Sequence, residues 1–170
     1  MKKAAVSCLD ALFAAIAAQQ NLYLPADDAA GQAHFTLWQA GMKLSARLNT
    51  VRSAKDLFFP QVENLMGFRV SGKQIEELET RDEVSPFVLF GVRACDARSF
   101  DILDRVFLSA PADTFYQARR ENATVISLAC TRPEETCFCQ SFGVDAADPA
   151  GDVTCWMDET ALYWRANTEK

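Results

Sequence analysis

Two short apolar runs dominate the hydrophobic pattern of the chain. Phe87–Phe90 and Val125–Ala129 each have the length of a buried strand, and helical spacing fills the stretch between them. Strands joined through such a segment form a parallel pair with a right-handed crossover, and their carboxyl ends lie at one sheet edge. The pattern therefore predicts neighbouring positions for the residues that follow the two runs.

Further elements are predicted on both sides of this pair. A first helix is indicated by apolar residues at helical spacing, namely Leu9, Leu12, Phe13 and Ile16. Alternation predicts a hairpin with arms His34–Gln39 and Met42–Leu48 around Ala40-Gly41, and a second hairpin over Asp152–Asn167. We expect a single α/β domain over residues 1–170, with a mixed sheet that has hairpins at both ends.

The remaining helices are predicted from their caps and charges. Asp96 is expected to cap a helix after the first core strand, and Asp113 a helix that runs to Glu121. A short helix over Gln61–Leu65 is plausible after Pro60. The charged stretch Gln74–Asp82 indicates a solvent-facing helix or loop.

Composition narrows the classes of function. The 170 residues carry a formal net charge of −6, which argues against nucleic acid or an anionic membrane as a partner. The amino terminus resembles a signal peptide, but Asp10 interrupts its apolar part, and no apolar run approaches the roughly 20 residues of a membrane span. We therefore expect a cytoplasmic protein.

Four of the six cysteines form the candidate site. Cys95 and Cys130 each follow a predicted core strand, and Cys137-Phe138-Cys139 lies just beyond a turn at Pro133. A cytoplasmic chain rarely uses cysteines for disulfides, and clustered thiols on loops favour metal ligation. The four cysteines are therefore predicted to bind one metal centre.

The identity of the metal stays open between an iron–sulfur cluster and zinc. Zinc sites usually have two closely spaced cysteine pairs, whereas this chain has one C-x-C pair and two separated cysteines, which favours a cluster. Two other interpretations are buried structural cysteines and a thiol redox enzyme that uses Cys137 and Cys139. Cys8 and Cys155 are expected to be structural, and His34 to have a solvated or capping role.

Basic residues near the cysteines would offset the charge of a bound cluster. The candidates for this role are Arg93, Arg119, Arg120 and Arg132. Lys55 and Glu63 are expected to pair with each other or to face a partner. The chain has neither a phosphate-binding glycine motif nor a dinucleotide fingerprint, so nicotinamide or flavin chemistry would belong to a partner.

Four segments together carry a family resemblance. They are Ser53–Glu63, Phe90–Asp96, Asp113–Glu121 and Cys137–Cys139. In order and approximate spacing, from about Leu22 to Trp164, the chain resembles the iron–sulfur electron-transfer subunit of anaerobic sulfite reductase. It is equally similar to beta subunits of sulfhydrogenase-type nickel–iron hydrogenases and to electron-transfer subunits that accompany heterodisulfide reductases.

The resemblance implies electron transfer through a [4Fe–4S] cluster bound by Cys95, Cys130, Cys137 and Cys139. The implied partners are a subunit that binds flavin and nicotinamide, and a catalytic subunit. The main interpretation is that the catalytic subunit belongs to anaerobic sulfite reductase. The alternatives are a hydrogenase or heterodisulfide reductase complex, and a zinc-stapled scaffold without redox activity. No complete substrate active site is predicted in this chain.

One feature departs from the resemblance. Family members usually continue into a ferredoxin-like region with C-x₂-C-x₂-C-x₃-C runs, which these residues lack. The chain is therefore expected to be either an amino-terminal cluster-binding domain of a longer subunit or a shortened relative with one cluster.

Overall fold

A computed structural model describes residues 1–78 and 84–170. The three α-helices in these ranges are α1 (Leu9–Ala17), α2 (Ala94–Phe107) and α3 (Thr114–Asn122). The nine strands are β1 (Lys2–Ala5), β2 (Asn21–Asp27), β3 (Ala33–Leu37), β4 (Gly67–Ser71), β5 (Gln74–Leu78), β6 (Phe87–Val92), β7 (Ala123–Leu128), β8 (Val153–Met157) and β9 (Ala161–Ala166).

Seven of these strands form one mixed sheet, in the order β1-β9-β8-β7-β6-β2-β3. The four central strands are parallel, in the pairs β2–β6, β6–β7 and β7–β8. The strands beyond them pair antiparallel, β2 with β3 on one side and β8 with β9 and β9 with β1 on the other. The predicted α/β class and mixed sheet are confirmed.

The central strand β6 is buried along its whole length, as expected for a continuous apolar run in a covered parallel sheet. On one face, Phe90 packs edge-on against Phe13 of α1, with ring centroids 5.1 Å apart. On the other face, Leu89 lies in a second core with Phe100 of α2 and Tyr116 of α3. Helices thus cover both faces of the sheet and hold the parallel strands in place.

The crossover from β6 to β7 confirms the predicted parallel pair. Phe87 lies opposite Ala123 and Leu89 opposite Val125, while α2 and α3 make the connection. A bulge interrupts the register at Gly91, whose φ of +85° favours glycine. Only Arg93 separates β6 from α2, so the helix begins at the sheet edge where the site lies.

A polar network joins α3 to α2 beside the second core. Arg120 binds the Asp104 carboxylate through two hydrogen bonds of 2.8 Å, and the buried Tyr116 hydroxyl donates to the same carboxylate at 2.6 Å. Burial works to raise the pKa of Asp104, but these hydrogen bonds outweigh it and lower the pKa. The carboxylate is therefore ionised at neutral pH and fixes α3 against α2.

The amino-terminal hairpin uses other strands than the alternation predicted. β3 pairs with β2, with Tyr23 opposite Leu37 and Asp27 opposite Ala33, and Met42–Leu48 is not a strand. The Ser45 amide makes a single hydrogen bond to the Pro25 carbonyl, at 2.8 Å. Alternation of apolar and polar residues shows that a segment has one buried and one solvent-exposed face. It does not show which other strand the segment pairs with. The carboxyl-terminal hairpin, β8–β9, is confirmed.

Three further local predictions are wrong. Helix α2 begins at Ala94 with Arg93 as its N-cap, so Asp96 lies within the first turn, because the strand leads almost directly into the helix. Gln61–Leu65 forms no helix. Gln74–Leu78 is a strand, since the turn at Gly72 returns the chain along β4. The end of the predicted stretch Gln74–Asp82, from residue 79, lies outside the described residues.

The strands β4 and β5 form a separate two-stranded sheet with both faces largely exposed. Phe68, Val70 and Ile75 are 60%, 68% and 71% exposed. Two-stranded hairpins are only marginally stable by themselves. No helix among the described residues is long and apolar enough to cross a membrane.

Candidate metal centre

The four candidate cysteines lie at the carboxyl edge of the parallel strands. Cys95 is in the first turn of α2, directly after β6, and Cys130 comes two residues after the end of β7. Cys137 and Cys139 lie in the long connection from β7 to β8. Because β6 and β7 are adjacent and parallel, the fold brings these segments to one edge, as the sequence predicts.

Local hydrogen bonds shape the connection that carries three of the thiols, which we call the cysteine loop (residues 130–146). The Cys130 amide donates to the Ala146 carbonyl at 2.9 Å, which closes the base of the loop. The Cys137 amide donates to the Glu134 carbonyl at 3.0 Å, and the Glu134 amide donates to the Cys137 Sγ at 3.3 Å. A 3₁₀ turn then covers Cys139–Phe142 and ends at Gly143, which has a φ of +62°.

A side-chain contact ties the cysteine loop to an earlier part of the chain. The Asn49 amide donates a 2.8 Å hydrogen bond to the Glu134 carboxylate. The segment around Asn49 then forms one wall of a cavity of about 300 Å³ that Cys95, Cys137 and Cys139 also line. A cavity of about 550 Å³ on the other side is lined by Cys130, Cys137 and Cys139. The four thiols therefore surround two cavities that share Cys137 and Cys139.

Burial has the largest effect on the ionisation of Cys95 and Cys130, and neighbouring thiols add to it. Partial burial raises the pKa of Cys95 to about 11, and the charges of Asp96, Cys139 and Cys130 contribute in the same direction. The position of Cys95 at a helix amino terminus favours the thiolate, but burial and these negative neighbours outweigh it. Cys95 is therefore a neutral thiol at neutral pH, and binding of a metal ion would release its proton.

Arg93 places a positive charge beside Cys130. Burial raises the pKa of Cys130, and the guanidinium of Arg93 opposes that shift. The same guanidinium donates to the carbonyls of Leu48, Leu128 and Ala129 at 3.1, 3.4 and 3.3 Å. Arg93 thus links the start of α2 to the end of β7 and to the segment that bears Asn49.

The other arginines proposed for this role differ in position. Arg119 pairs with Glu63 and Arg120 with Asp104, so the charge of each is matched outside the cysteine loop. The predicted Lys55–Glu63 pair is replaced by the Arg119–Glu63 pair. Arg132 lies within the cysteine loop and lines its larger cavity.

The remaining candidates stand apart from the four thiols. His34 lies 3.3 Å from the Asp28 carboxylate in the turn between β2 and β3, in agreement with a solvated role. Cys155 is buried in β8, and burial raises its pKa to about 12. Cys8, expected to be structural like Cys155, is exposed in a 3₁₀ turn before α1.

Four thiols form a soft donor set, which suits an iron–sulfur cluster or zinc. Four thiols without carboxylates or imidazoles are the ligand set of iron–sulfur clusters and of some zinc sites. Among residues 1–78 and 84–170, no three His, Cys, Asp or Glu side chains are gathered closely enough to hold one ion. The ligand roles themselves remain a prediction.

The sequence did not indicate that Arg47–Thr50 line the smaller cavity. Nor did it indicate that Arg93 binds three backbone carbonyls at the site. These residues have ordinary polar character, and 35 to 45 positions separate Arg93 from the carbonyls that it binds. No local periodicity reports such a contact. The position of Arg93, just after a predicted core strand and before Cys95, indicated that it would lie at the site.

Comparison with known proteins finds a similarity over half of the chain. The chain resembles a hydrogenase subunit. It is 41% identical over 86 residues to sulfhydrogenase 2 subunit beta of Pyrococcus furiosus. The match covers 51% of this chain and 25% of that protein, so the chain spans much less than the full length of its relative. No protein-family model and no solved structure matches the chain.

This similarity supports the expected relation to sulfhydrogenase beta subunits. It does not single out anaerobic sulfite reductase, which the sequence alone placed first. The hydrogenase alternative is the better supported of the two.

Proposed function

We propose that the chain is an iron–sulfur electron-transfer subunit of a hydrogenase-like oxidoreductase complex in the cytoplasm. Cys95, Cys130, Cys137 and Cys139 hold a [4Fe–4S] cluster in this proposal. The observation that carries it is the arrangement of four thiols around two shared cavities at the carboxyl edge of the parallel sheet. The similarity to a sulfhydrogenase beta subunit supports the choice of complex.

The bound cluster would supply one-electron chemistry. The four thiolates bind its irons, and Arg93 offsets part of their negative charge. Amide groups at the start of α2 add positive potential beside Cys95. The Asn49–Glu134 hydrogen bond ties the cysteine loop to the segment that lines the smaller cavity.

A cluster with cysteine at every iron leaves no iron open to a substrate. The chain therefore passes electrons and leaves the terminal chemistry to a catalytic subunit. A flavin- and nicotinamide-binding subunit is the proposed electron donor, because this sequence lacks a dinucleotide fingerprint of its own. The sulfite reductase complex remains a second candidate on the strength of the four sequence segments.

Iron and acid-labile sulfide analysis of anaerobically prepared protein tests this proposal. We expect about four irons and four sulfides per chain and a paramagnetic resonance signal after reduction. Cys130→Ser should lose the cluster, while the exposed Cys8→Ser should keep it and serves as the matched control. A colourless protein with one tightly bound zinc, after attempted reconstitution, would establish the scaffold alternative instead.

The thiol redox alternative predicts a different pattern of variants. A vicinal pair formed by Cys137 and Cys139 would keep its activity in Cys95→Ser, whereas a shared cluster would be lost with that residue. The native complex, isolated from its producing organism and assayed for hydrogen uptake and sulfite reduction, decides between the two oxidoreductases.

A further inference from the structure

The cysteine loop exposes an aromatic pair beside the thiols. Phe138 and Phe142 are 61% and 68% exposed, and their rings meet edge to face with centroids 5.4 Å apart. Exposed aromatic side chains next to each other are unfavourable in water but are enriched where proteins bind one another. The pair therefore has the character of an interface centre.

The pair also lies beside the thiols. Phe138 lies between Cys137 and Cys139 in sequence and lines both cavities that the thiols surround. Every residue from Thr131 to Phe138 is exposed, whereas the inner side of the site is formed by the buried strands β6 and β7. A partner that docks on Phe138 and Phe142 would lie closer to the thiols than a partner on the helical faces of the sheet.

The cysteine loop itself carries a net negative charge, while Arg47 and Arg93 line the smaller cavity on the inner side of Phe138. Glu134, Glu135 and Asp145 outnumber Arg132 among the ionised side chains of the cysteine loop. The thiolates of a bound cluster add to the negative potential. A second copy of this chain would bring the same negative loop against itself, which like-charge repulsion disfavours. A partner with lysine and arginine around an apolar patch is complementary instead.

From these observations we infer that Phe138 and Phe142 form the centre of a docking surface for a redox partner protein. The partner presents an apolar patch rimmed by basic side chains, and electrons cross between the two proteins at this surface. The inference rests on the proposed function, because it assumes that the neighbouring thiols hold a redox centre.

Oxidised cytochrome c, a basic haem protein, serves as the probe partner. One electron leaves the reduced, cluster-loaded 170-residue chain and converts haem iron(III) to iron(II), and stopped-flow absorbance follows the change. The dependence of the rate on cytochrome c concentration gives an apparent Kd. We expect the rate to fall as ionic strength rises, because opposite charges steer the encounter.

Two variants separate the charge contribution from the aromatic contribution. Glu135→Lys should slow the reaction by about threefold or more at low ionic strength and speed the reduction of ferricyanide, a small anion. The double variant Phe138→Ala with Phe142→Ala should raise the apparent Kd by about fivefold or more. Iron content and the resonance spectrum of both variants should match those of the wild type.

Matched controls lie elsewhere on the chain. Glu121→Lys makes the same charge change at the opposite end of β7, and Phe68→Ala removes a ring that is equally exposed but lies on β4. The inference fails if these controls alter the reaction as much as the loop variants do, or if the rate does not fall with salt. A protein that binds no iron overturns the proposed function and this inference together. A loaded protein with unaffected loop variants overturns the inference alone.

Discussion

Replacement of Arg93 by methionine tests the idea that this side chain holds the segments of the site together. Methionine keeps most of the apolar stem but removes the guanidinium, which contacts the carbonyls of Leu48, Leu128 and Ala129. The three distances, 3.1, 3.4 and 3.3 Å, are longer than the usual length of roughly 2.9–3.0 Å, so each contact is assigned the low value of about 1 kcal/mol. Arg93→Met should therefore lower the free energy of unfolding by about 2–3 kcal/mol.

Urea denaturation followed by circular dichroism measures this loss on reduced, metal-free protein, so that metal binding does not contribute. Arg98→Met is the matched control on the same helix, because Arg98 forms an exposed ion pair with Asp101. We expect that variant to lose at most about 1 kcal/mol. Arg93→Lys keeps the charge but lacks the planar fork of donors, so its stability should fall between those of Arg93→Met and the wild type.

A loss in Arg93→Met no greater than that in Arg98→Met would refute the reasoning. It would mean that water replaces the guanidinium at the three carbonyls without cost. The end of β7 and the segment around Asn49 would then be held by their other hydrogen bonds, among them the one from Asn49 to Glu134.

Three further predictions concern the parts of the fold that support the site. Tyr116→Phe removes the hydrogen bond to Asp104 and should cost about 2 kcal/mol at pH 7. Because folding lowers the pKa of Asp104, its stabilising contribution is complete above the ordinary pKa of 3.8 and is lost as pH falls through the folded pKa. The difference between Tyr116→Phe and wild type should therefore shrink in acid, and a constant difference in urea titrations down to about pH 2 would contradict this account. Gly91→Ala should cost about 1–3 kcal/mol more than Gly41→Ala in the same measurement, because both have positive φ but only at Gly91 does a Cβ lie 3.0 Å from Pro25. Amide hydrogen exchange should be faster in β4–β5 than in the β6–β7 pair, since the small sheet is exposed on both faces, and equal protection would show that the hairpin is covered.

The local sequence was sufficient for the central strands and for the placement of the cysteines. Phe87–Phe90 is a continuous apolar run and Val125–Ala129 is interrupted only by Ser127, a pattern typical of strands covered on both faces. The helical spacing between the two runs favours a parallel crossover. The capping of α3 by Asp113 is equally local, because its carboxylate accepts from the amides of Phe115 and Tyr116. These features depend on residues close together in sequence.

Only the tertiary structure decided which distant backbones meet. β1 pairs with β9 across the whole chain length, and β3 pairs with β2 instead of with Met42–Leu48. The contacts of Arg93 and the Asn49–Glu134 hydrogen bond likewise join segments that are 35 to 85 positions apart. Hydrophobic periodicity shows which face of a segment is buried. It carries no information on the partner, because backbone donors and acceptors are the same in nearly every residue, and packing of the whole chain selects among them.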